Sequence, residues 1–188
     1  MSKHPLSAIA IALSAVTAVC TAAPAARPFR LTSPDIAEQR TLADAQVLEG
    51  FGCHGGNRSP ALTWSAGPVG TKSYALTVYD PDAPTGSGWW HWVVVNLPAD
   101  TVQLPAAAGG ADGAMLPAGA RQLSTDFGAP GYGGACPPPG DKPHRYVFTV
   151  YALDSVLELP ANATPALAGF MIHAHTLASA RITARYGR

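Results

Sequence analysis

The feature that most restricts the fold is a series of strand-like segments separated by glycine and proline. Residues 73–80 (SYALTVYD) alternate in the pattern of a β-strand, in which successive side chains point to opposite faces. Residues 89–97 are rich in aromatic and β-branched residues and almost continuously apolar, which predicts a strand buried on both faces. Further strand signals cover residues 144–153, the shorter segment 180–186, and the weaker segments 47–51 and 61–64. Such a chain is restricted to mainly β folds whose short strands pair through turns.

One segment near the end of the chain has helical spacing. Thr164 and Pro165 provide a cap residue and a proline at the first helical position. Leu167, Phe170 and Met171 then recur at helical intervals, which predicts a helix of about two to three turns packed on the sheet. Strands in the middle of the chain and a helix near its end together predict one antiparallel or mixed sheet system, a β-sandwich.

The N-terminal residues have the order of a secretory signal. Lys3 and His4 precede an apolar run over residues 6–19, and Ala23-Pro24-Ala25 supplies a small-residue cleavage site. The apolar run is shorter than the roughly 20 residues that a membrane span requires. We therefore expect residues 1–25 to be a signal peptide and residues 26–188 to form one periplasmic or secreted domain without an integral membrane segment. A retained anchor is the alternative.

The cysteines also bear on export. Removing the signal would take Cys20 away and leave Cys53 and Cys136. An even number of cysteines in an exported chain predicts one disulfide, because the periplasm and the exterior are oxidising. Both residues lie in glycine- and proline-rich segments, so the bond would join two loops. Two buried free thiols are the alternative, and a zinc site is disfavoured because there is no Cys-x-x-Cys pair.

The charge balance excludes several classes of partner. The chain has 12 basic and 12 acidic residues, so no field of one sign attracts nucleic acid or an anionic membrane. Charged residues make up 13% of the chain, well below the roughly 25% of an average soluble protein. An anion that binds this protein must therefore be held by local geometry.

Three polar residues lie where predicted strands meet loops. Asp80 ends one strand, His91 lies near the start of the next, and His144 begins a third. The end of a strand and the start of its hairpin partner lie at the same edge of a sheet, so we expect Asp80 and His91 to be neighbours. His144 joins them if its strand runs in the same sense as that of His91, and Tyr146 then shares a face with His144.

Such a group has the chemistry of an anion site. A neutral imidazole donates one ring proton and a charged imidazole donates two. A carboxylate beside an imidazole favours the cationic form, which binds anions better. The carboxylate itself repels an anion unless it accepts a proton from a ligand hydroxyl, ammonium or acid group. An amphoteric group such as phosphoethanolamine would satisfy both signs.

The same residues admit other interpretations. Asp80 and Asp82 flank proline, where aspartates commonly cap turns, and His91 between two tryptophans could be a core residue. An enzyme could use the three side chains as metal ligands or as a base and its orienting carboxylate. No Gly-x-Ser-x-Gly or His-Glu-x-x-His motif supports hydrolysis. An inhibitor or regulator of an exported protease or other protein, acting through the loop 105–120, is a further alternative.

Several motifs resemble one known family. Residues 80–84 (Asp-Pro-Asp-Ala-Pro), 90–96 (Trp-His-Trp-Val-Val-Val-Asn), 137–140 (Pro-Pro-Pro-Gly) and 144–146 (His-Arg-Tyr) are similar to motifs of the phosphatidylethanolamine-binding proteins. Residues 85–92 (Thr-Gly-Ser-Gly-Trp-Trp-His-Trp) resemble the bacterial branch of this family, often labelled Raf kinase inhibitor-like. The likeness extends from about residue 29 to the C-terminus.

This resemblance implies a β-sandwich with a small anion pocket at one end and no catalytic activity or cofactor. Its pocket residues carry over to Asp80, His91 and His144, with Asp82 and Tyr146 close by. The implied ligand is a small anionic or phosphorylated group, such as phosphate or a phosphoethanolamine head group. Many eukaryotic members have Trp-His-His where residues 90–92 are Trp-His-Trp, which puts eukaryotic partner surfaces in doubt more than the pocket.

Overall fold

The computed structural model describes Met1 and residues 28–188, so the predicted signal peptide lies, apart from Met1, outside the described residues. The regular elements of this part of the chain, besides a short 3-10 helix at Asp44–Gln46, are β1 (Leu31–Thr32), β2 (Glu49–Gly50), β3 (Cys53–His54), β4 (Leu62–Trp64), β5 (Ser73–Asp80), β6 (Trp89–Pro98), β7 (Gln103–Leu104), β8 (Arg121–Gln122), β9 (His144–Leu153), α1 (Pro165–His175) and β10 (Thr176–Tyr186).

The expected mainly β fold with a short helix near the C-terminus is confirmed. The strands predicted at 73–80 and 144–153 coincide with β5 and β9, and the strand predicted at 89–97 lies within β6. The strand predicted at 180–186 is the second part of β10, which begins directly after the helix. A central sheet has the order β10-β9-β5-β6-β8, with every neighbouring pair antiparallel.

Each face of the central sheet is covered by a different layer. A small sheet of order β1-β4-β7 covers one face, where Leu62, Trp64 and Leu104 join a core with residues of the central strands. On the other face, Ala168 and Ile172 of α1 pack with apolar residues of the sheet. Burial of these two interfaces supplies the main hydrophobic stabilisation of the fold.

The helix faces the sheet with a different side from the one predicted. Its N-terminus is capped as expected, because the Leu167 backbone N–H donates to Thr164 Oγ1 at 3.2 Å. However, Leu167 and Phe170 are 38% and 70% exposed, whereas Ala168 and Ile172 are buried. The prediction was wrong for Leu167 and Phe170, whereas Met171 packs partly buried against the same core as Ala168 and Ile172. The helix carries apolar residues on most of its circumference, so spacing alone cannot select a face.

The strand order brings the end of β5 and the starts of β6 and β9 together at one end of the sheet. Strand β5 lies between β6 and β9 and is antiparallel to both. Strands β6 and β9 therefore run in the same sense, and their first residues lie beside the last residue of β5. This is the arrangement in which Asp80, His91 and His144 were predicted to meet.

A β-bulge in β6 determines where His91 lies. Val78 pairs with Trp92 and Tyr79 with Trp90, so His91 is an extra residue without a partner on β5. Such a bulge interrupts strict alternation and can redirect a side chain. Trp92 consequently fills the main core, while His91 lies with Asp80 at the edge of the sheet.

The turn before β6 depends on one glycine. Gly88 has a φ of 67°, in the left-handed region that L side chains rarely adopt. A Cβ atom at this position would also overlap the Tyr79 ring and the Asp80 carbonyl. Gly88 therefore allows β6 to pair closely with the end of β5.

Within the part of the chain described by the structure, no helix is long and apolar enough to cross a membrane.

Candidate functional site

A recess of about 450 Å³ opens at the edge where β5 ends and β6 and β9 begin. Four buried residues form its floor: Asp80, His91, His144 and Tyr146, which are 2–4% exposed. The rest of its lining is mostly apolar and comprises Phe51, Ala83, Pro84, Thr85, Trp89, Phe127, Cys136, Pro137, Pro138, Pro139 and Arg188. Four of the five residues predicted to bind a ligand thus lie together.

Asp80 and His144 form a buried pair. His144 Nδ1 lies 2.7 Å from Asp80 Oδ2, and the two side chains are 5% and 3% exposed. Asp80 Oδ1 accepts a hydrogen bond from the Asp82 backbone N–H at 2.8 Å. Both carboxylate oxygens are therefore engaged, which fixes the carboxylate and orients the His144 ring. The other ring nitrogen, Nε2, is left with a weaker contact of 3.4 Å to Asp141 Oδ2.

His91 is fixed through a backbone carbonyl. Its Nδ1 lies 2.7 Å from the Gly133 oxygen, so Nδ1 must carry the proton and donate it. Burial lowers the pKa of His91, and the hydrogen bond to Gly133 and the charge of Asp80 oppose this only in part. His91 is therefore neutral at pH 7, contrary to the cationic form expected from the sequence. In this tautomer Nε2 is a hydrogen-bond acceptor.

Tyr146 completes the floor on the same face as His144. Its ring meets the His91 ring edge-on, with centroids 5.1 Å apart. Burial, together with the charge of Asp80, raises the pKa of Tyr146, so its hydroxyl remains protonated. Tyr146 can therefore shape the floor and supply a neutral hydroxyl, but no base.

Asp82 is the predicted residue that the recess does not include. Its carboxylate accepts two hydrogen bonds from the Arg145 guanidinium, at 2.6 and 2.8 Å, and one from the Arg145 backbone N–H at 2.8 Å. Hydrogen bonding to Arg145 lowers the pKa of Asp82 to about 2. The carboxylate is thus ionised and occupied at the partly exposed surface.

Aromatic side chains at the mouth were not identified from the sequence. The aromatic rim consists of Phe51, Trp89 and Phe127. Phe127 contacts the Trp89 ring at a centroid distance of 5.3 Å and the His91 ring at 5.4 Å. No local pattern marks Phe127, which stands alone in a glycine-rich loop.

The cysteines join two loops that line the recess. The structure contains a disulfide between Cys53 and Cys136. Arg188 joins the same loops, because its Nε donates to the Pro137 carbonyl at 2.6 Å and its Nη1 to the Gly52 carbonyl at 2.9 Å. The predicted disulfide was the one sequence signal that could have placed Phe51 beside the recess.

Across residues 28–188, no group of three or more histidine, cysteine, aspartate or glutamate side chains is arranged to hold a metal ion.

The neutral state of His91 predicts a pH dependence of stability. Because burial lowers its folded pKa below the unfolded value of about 6.5, the unfolded chain binds more protons below that pH. This contribution to stability is complete above about pH 6.5 and decreases as the pH falls, by at most about 1.4 kcal/mol per pH unit. We expect His91→Asn to lose less free energy of unfolding between pH 7.5 and pH 5.5 than the parent protein does.

Urea denaturation at the two pH values measures this difference. His54→Asn is the matched control, because the side chain of His54 is 84% exposed. The control should retain the pH dependence of the parent protein. An equal loss in the parent protein and in His91→Asn would contradict the assignment.

Comparison with known proteins identifies similar sequences and one similar fold. A family model described as phosphatidylethanolamine-binding protein matches residues 32–187. The chain is 53% identical over 175 residues to UPF0098 protein YbcL of Escherichia coli K12, covering 93% of this chain and 96% of that protein. It is 52% identical over 159 residues to YbhB of the same organism, covering 84% and 99%. The crystal structure of E. coli YbcL, described as a new member of the mammalian PEBP family, matches with a TM-score of 0.84 at 54% identity, over 86% of this chain and 99% of that chain.

Proposed function

The chain belongs to the phosphatidylethanolamine-binding protein family, and from this we propose that it binds a small anionic or phosphorylated ligand without transforming it. The ligand class is a phosphate or a phosphoethanolamine-like head group. The binding site is the floor of the recess, with His91 and His144 as polar contacts, Asp80 as the buried partner that orients His144, and Tyr146 beside them. Asp82 acts indirectly, through its backbone N–H on Asp80.

One observation carries this proposal. Two imidazoles and a carboxylate are buried at the floor of one recess, and the Nδ1 atom of each imidazole is already bound within the protein. The Nε2 atom of His91 is therefore available for a ligand, and that of His144 can bind one in place of its weaker 3.4 Å contact with Asp141 Oδ2. Positioning polar groups in advance in this way lowers the cost of binding, because the side chains need not be ordered again.

The charge distribution favours a ligand that brings a proton. Neutral His91 offers an acceptor at Nε2, which suits a phosphate that retains one hydroxyl. Phosphate esters have a second pKa of about 6, so about half of the ester retains this hydroxyl at pH 6 and about a tenth at pH 7. A fully ionised ligand would have to bind together with a proton. Asp80 then acts as the internal partner of His144 and not as a ligand contact of its own.

The lining offers little for covalent catalysis. Thr85 carries the one serine or threonine hydroxyl of the lining, and that hydroxyl already donates to the Gly88 carbonyl at 2.5 Å. Cys136 is oxidised, and the Tyr146 hydroxyl is held protonated by its raised pKa. These facts support a binding protein over an enzyme that uses a hydroxyl or thiol nucleophile.

The disulfide supports a periplasmic or secreted location for the protein. Stable disulfides are typical of oxidising compartments. The Cys53–Cys136 bond thus agrees with the export expected from the N-terminal sequence.

Nuclear magnetic resonance of the histidine rings tests the function directly. At pH 6, millimolar inorganic phosphate or phosphoethanolamine should shift the ring signals of His91 and His144 in the parent protein. The shift of the remaining His91 signal should be lost in His144→Ala. His175→Ala is the matched control, because His175 also pairs with an aspartate, Asp154 at 2.8 Å, but is partly exposed. Unchanged spectra with both ligands, or equal shifts of His91 in His144→Ala, would refute the proposal.

A further inference from the structure

The recess is larger than its polar floor requires. Its volume of about 450 Å³ is within the range of sites for small organic ligands, roughly 300–1,000 Å³. A single water occupies about 30 Å³ in the liquid, and an inorganic phosphate has only five heavy atoms. A bare phosphate at the floor would therefore leave most of the recess, including the whole aromatic rim, without contact.

Phe51 is the most unusual member of the rim. It lies at the turn between β2 and β3 with a φ of 51°, which is rare for a bulky side chain. It is 74% exposed, although its ring stacks on Phe127 with centroids 6.0 Å apart and planes at 21°. A large apolar side chain held at the mouth of a recess, in an unfavourable backbone conformation, indicates a functional use.

The position of Phe51 is set by bonds to the opposite wall. The disulfide between Cys53 and Cys136 connects the hairpin of Phe51 to the segment 136–139, whose three prolines line the recess. Arg188 connects the same two segments through hydrogen bonds to the carbonyls of Gly52 and Pro137. The two residues that follow Phe51 are thus tied to the segment that contains Cys136 and Pro137.

The other two rings complete an apolar surface above the floor. Phe127 lies between Phe51 and Trp89 and also contacts the His91 ring. The polar atoms of the floor and the aromatic rim are therefore continuous parts of one recess. A ligand whose anionic group reaches His91 would place whatever is attached to that group against the rim.

We propose that the recess selects anions that carry an apolar body of about the size of one ring, with Phe51 as a residue that determines this specificity. The anionic group binds at the floor, and the body packs against Phe51, Phe127 and Trp89. This inference rests on the proposed function for the anionic end and adds the chemical class of the remainder of the ligand. Small hydrophilic phosphates are then weak ligands of the same floor.

Calorimetric titration of the purified protein with a graded set of phosphates tests the inference. The probes are inorganic phosphate, phosphoethanolamine and phenyl phosphate. Burying one ring against the rim should make phenyl phosphate bind about 10-fold or more tightly than phosphoethanolamine. Phe51→Ala should reduce this ratio to about 3-fold or less, and Phe51→Leu should restore part of the ratio.

A matched control separates the rim from general surface apolarity. Phe170 is also a largely exposed phenylalanine, 70% exposed on α1, and does not line the recess. Phe170→Ala should leave the ratio unchanged. If phosphate binds but phenyl phosphate has no advantage, or if Phe51→Ala preserves the ratio, the inference is wrong while the proposed function stands. If none of the three phosphates binds, both fall.

Discussion

Asp80→Ala is expected to lower the free energy of unfolding by about 3–5 kcal/mol, whereas Asp82→Ala should cost about 1 kcal/mol or less. The two aspartates are two residues apart and each pairs with a basic side chain. They differ in burial: the Asp80 and His144 side chains are 3% and 5% exposed, whereas those of Asp82 and Arg145 are 30% and 47% exposed. Removing Asp80 leaves two donors, the buried His144 Nδ1 and the part-buried Asp82 N–H, without their acceptor.

Chemical denaturation of the two variants at pH 7 measures the difference, with Asp82→Ala as the control for removing a paired carboxylate from the same loop. Asp80→Asn should fall between them, because the amide retains one acceptor oxygen and the shape of the side chain. Equal losses from Asp80→Ala and Asp82→Ala would show that the buried pair contributes no more than a surface ion pair. Asp80→Asn should also weaken phosphate binding, since His144 loses the negative charge of its carboxylate partner.

Removing the disulfide should have an effect of similar size. Cys53 and Cys136 are 83 residues apart, so the bond closes a long loop in the unfolded chain. The chain-entropy relation gives roughly 4 kcal/mol for such a loop, at the upper end of the usual range. Cys53→Ala/Cys136→Ala should therefore be destabilised by about 2–4 kcal/mol. The double replacement avoids leaving one unpaired thiol.

Denaturation with and without a reducing agent checks this prediction. The reduced parent protein should match the double variant, and the reducing agent should not change the double variant. Because the bond also anchors the hairpin that carries Phe51, the double variant should lose part of its preference for phenyl phosphate. A parent protein whose stability is insensitive to complete reduction would contradict the expected contribution of the bond.

Predictions from the sequence succeeded where local periodicity and strand adjacency govern the structure. The strands 73–80 and 144–153 have the predicted bounds, because alternation, proline and glycine define their ends locally. Predictions for α1 were right about its cap and wrong about its buried side. An apolar helix can pack on either side, and the sheet beneath it decides which.

The candidate site could likewise be predicted only in part. The meeting of Asp80 and His144 follows from the order of the strands, which the sequence allowed but did not require. Asp82 lies outside the recess because its carboxylate is bound by Arg145, which lies 63 residues further along the chain. Alternation alone places Arg145 opposite to His144 and Tyr146, but the partner that it reaches depends on how β9 pairs with β5.

A mainly β chain with an acid and two imidazoles at strand ends could be predicted from local sequence, because side-chain alternation and turn chemistry act between near neighbours. The neutral state of His91 could not, since it depends on burial and on a hydrogen bond to Gly133, 42 residues away. The tertiary structure also placed Phe51 and Phe127 at the mouth. Contacts between distant segments and exclusion of water set these features, and neither is encoded in a local pattern.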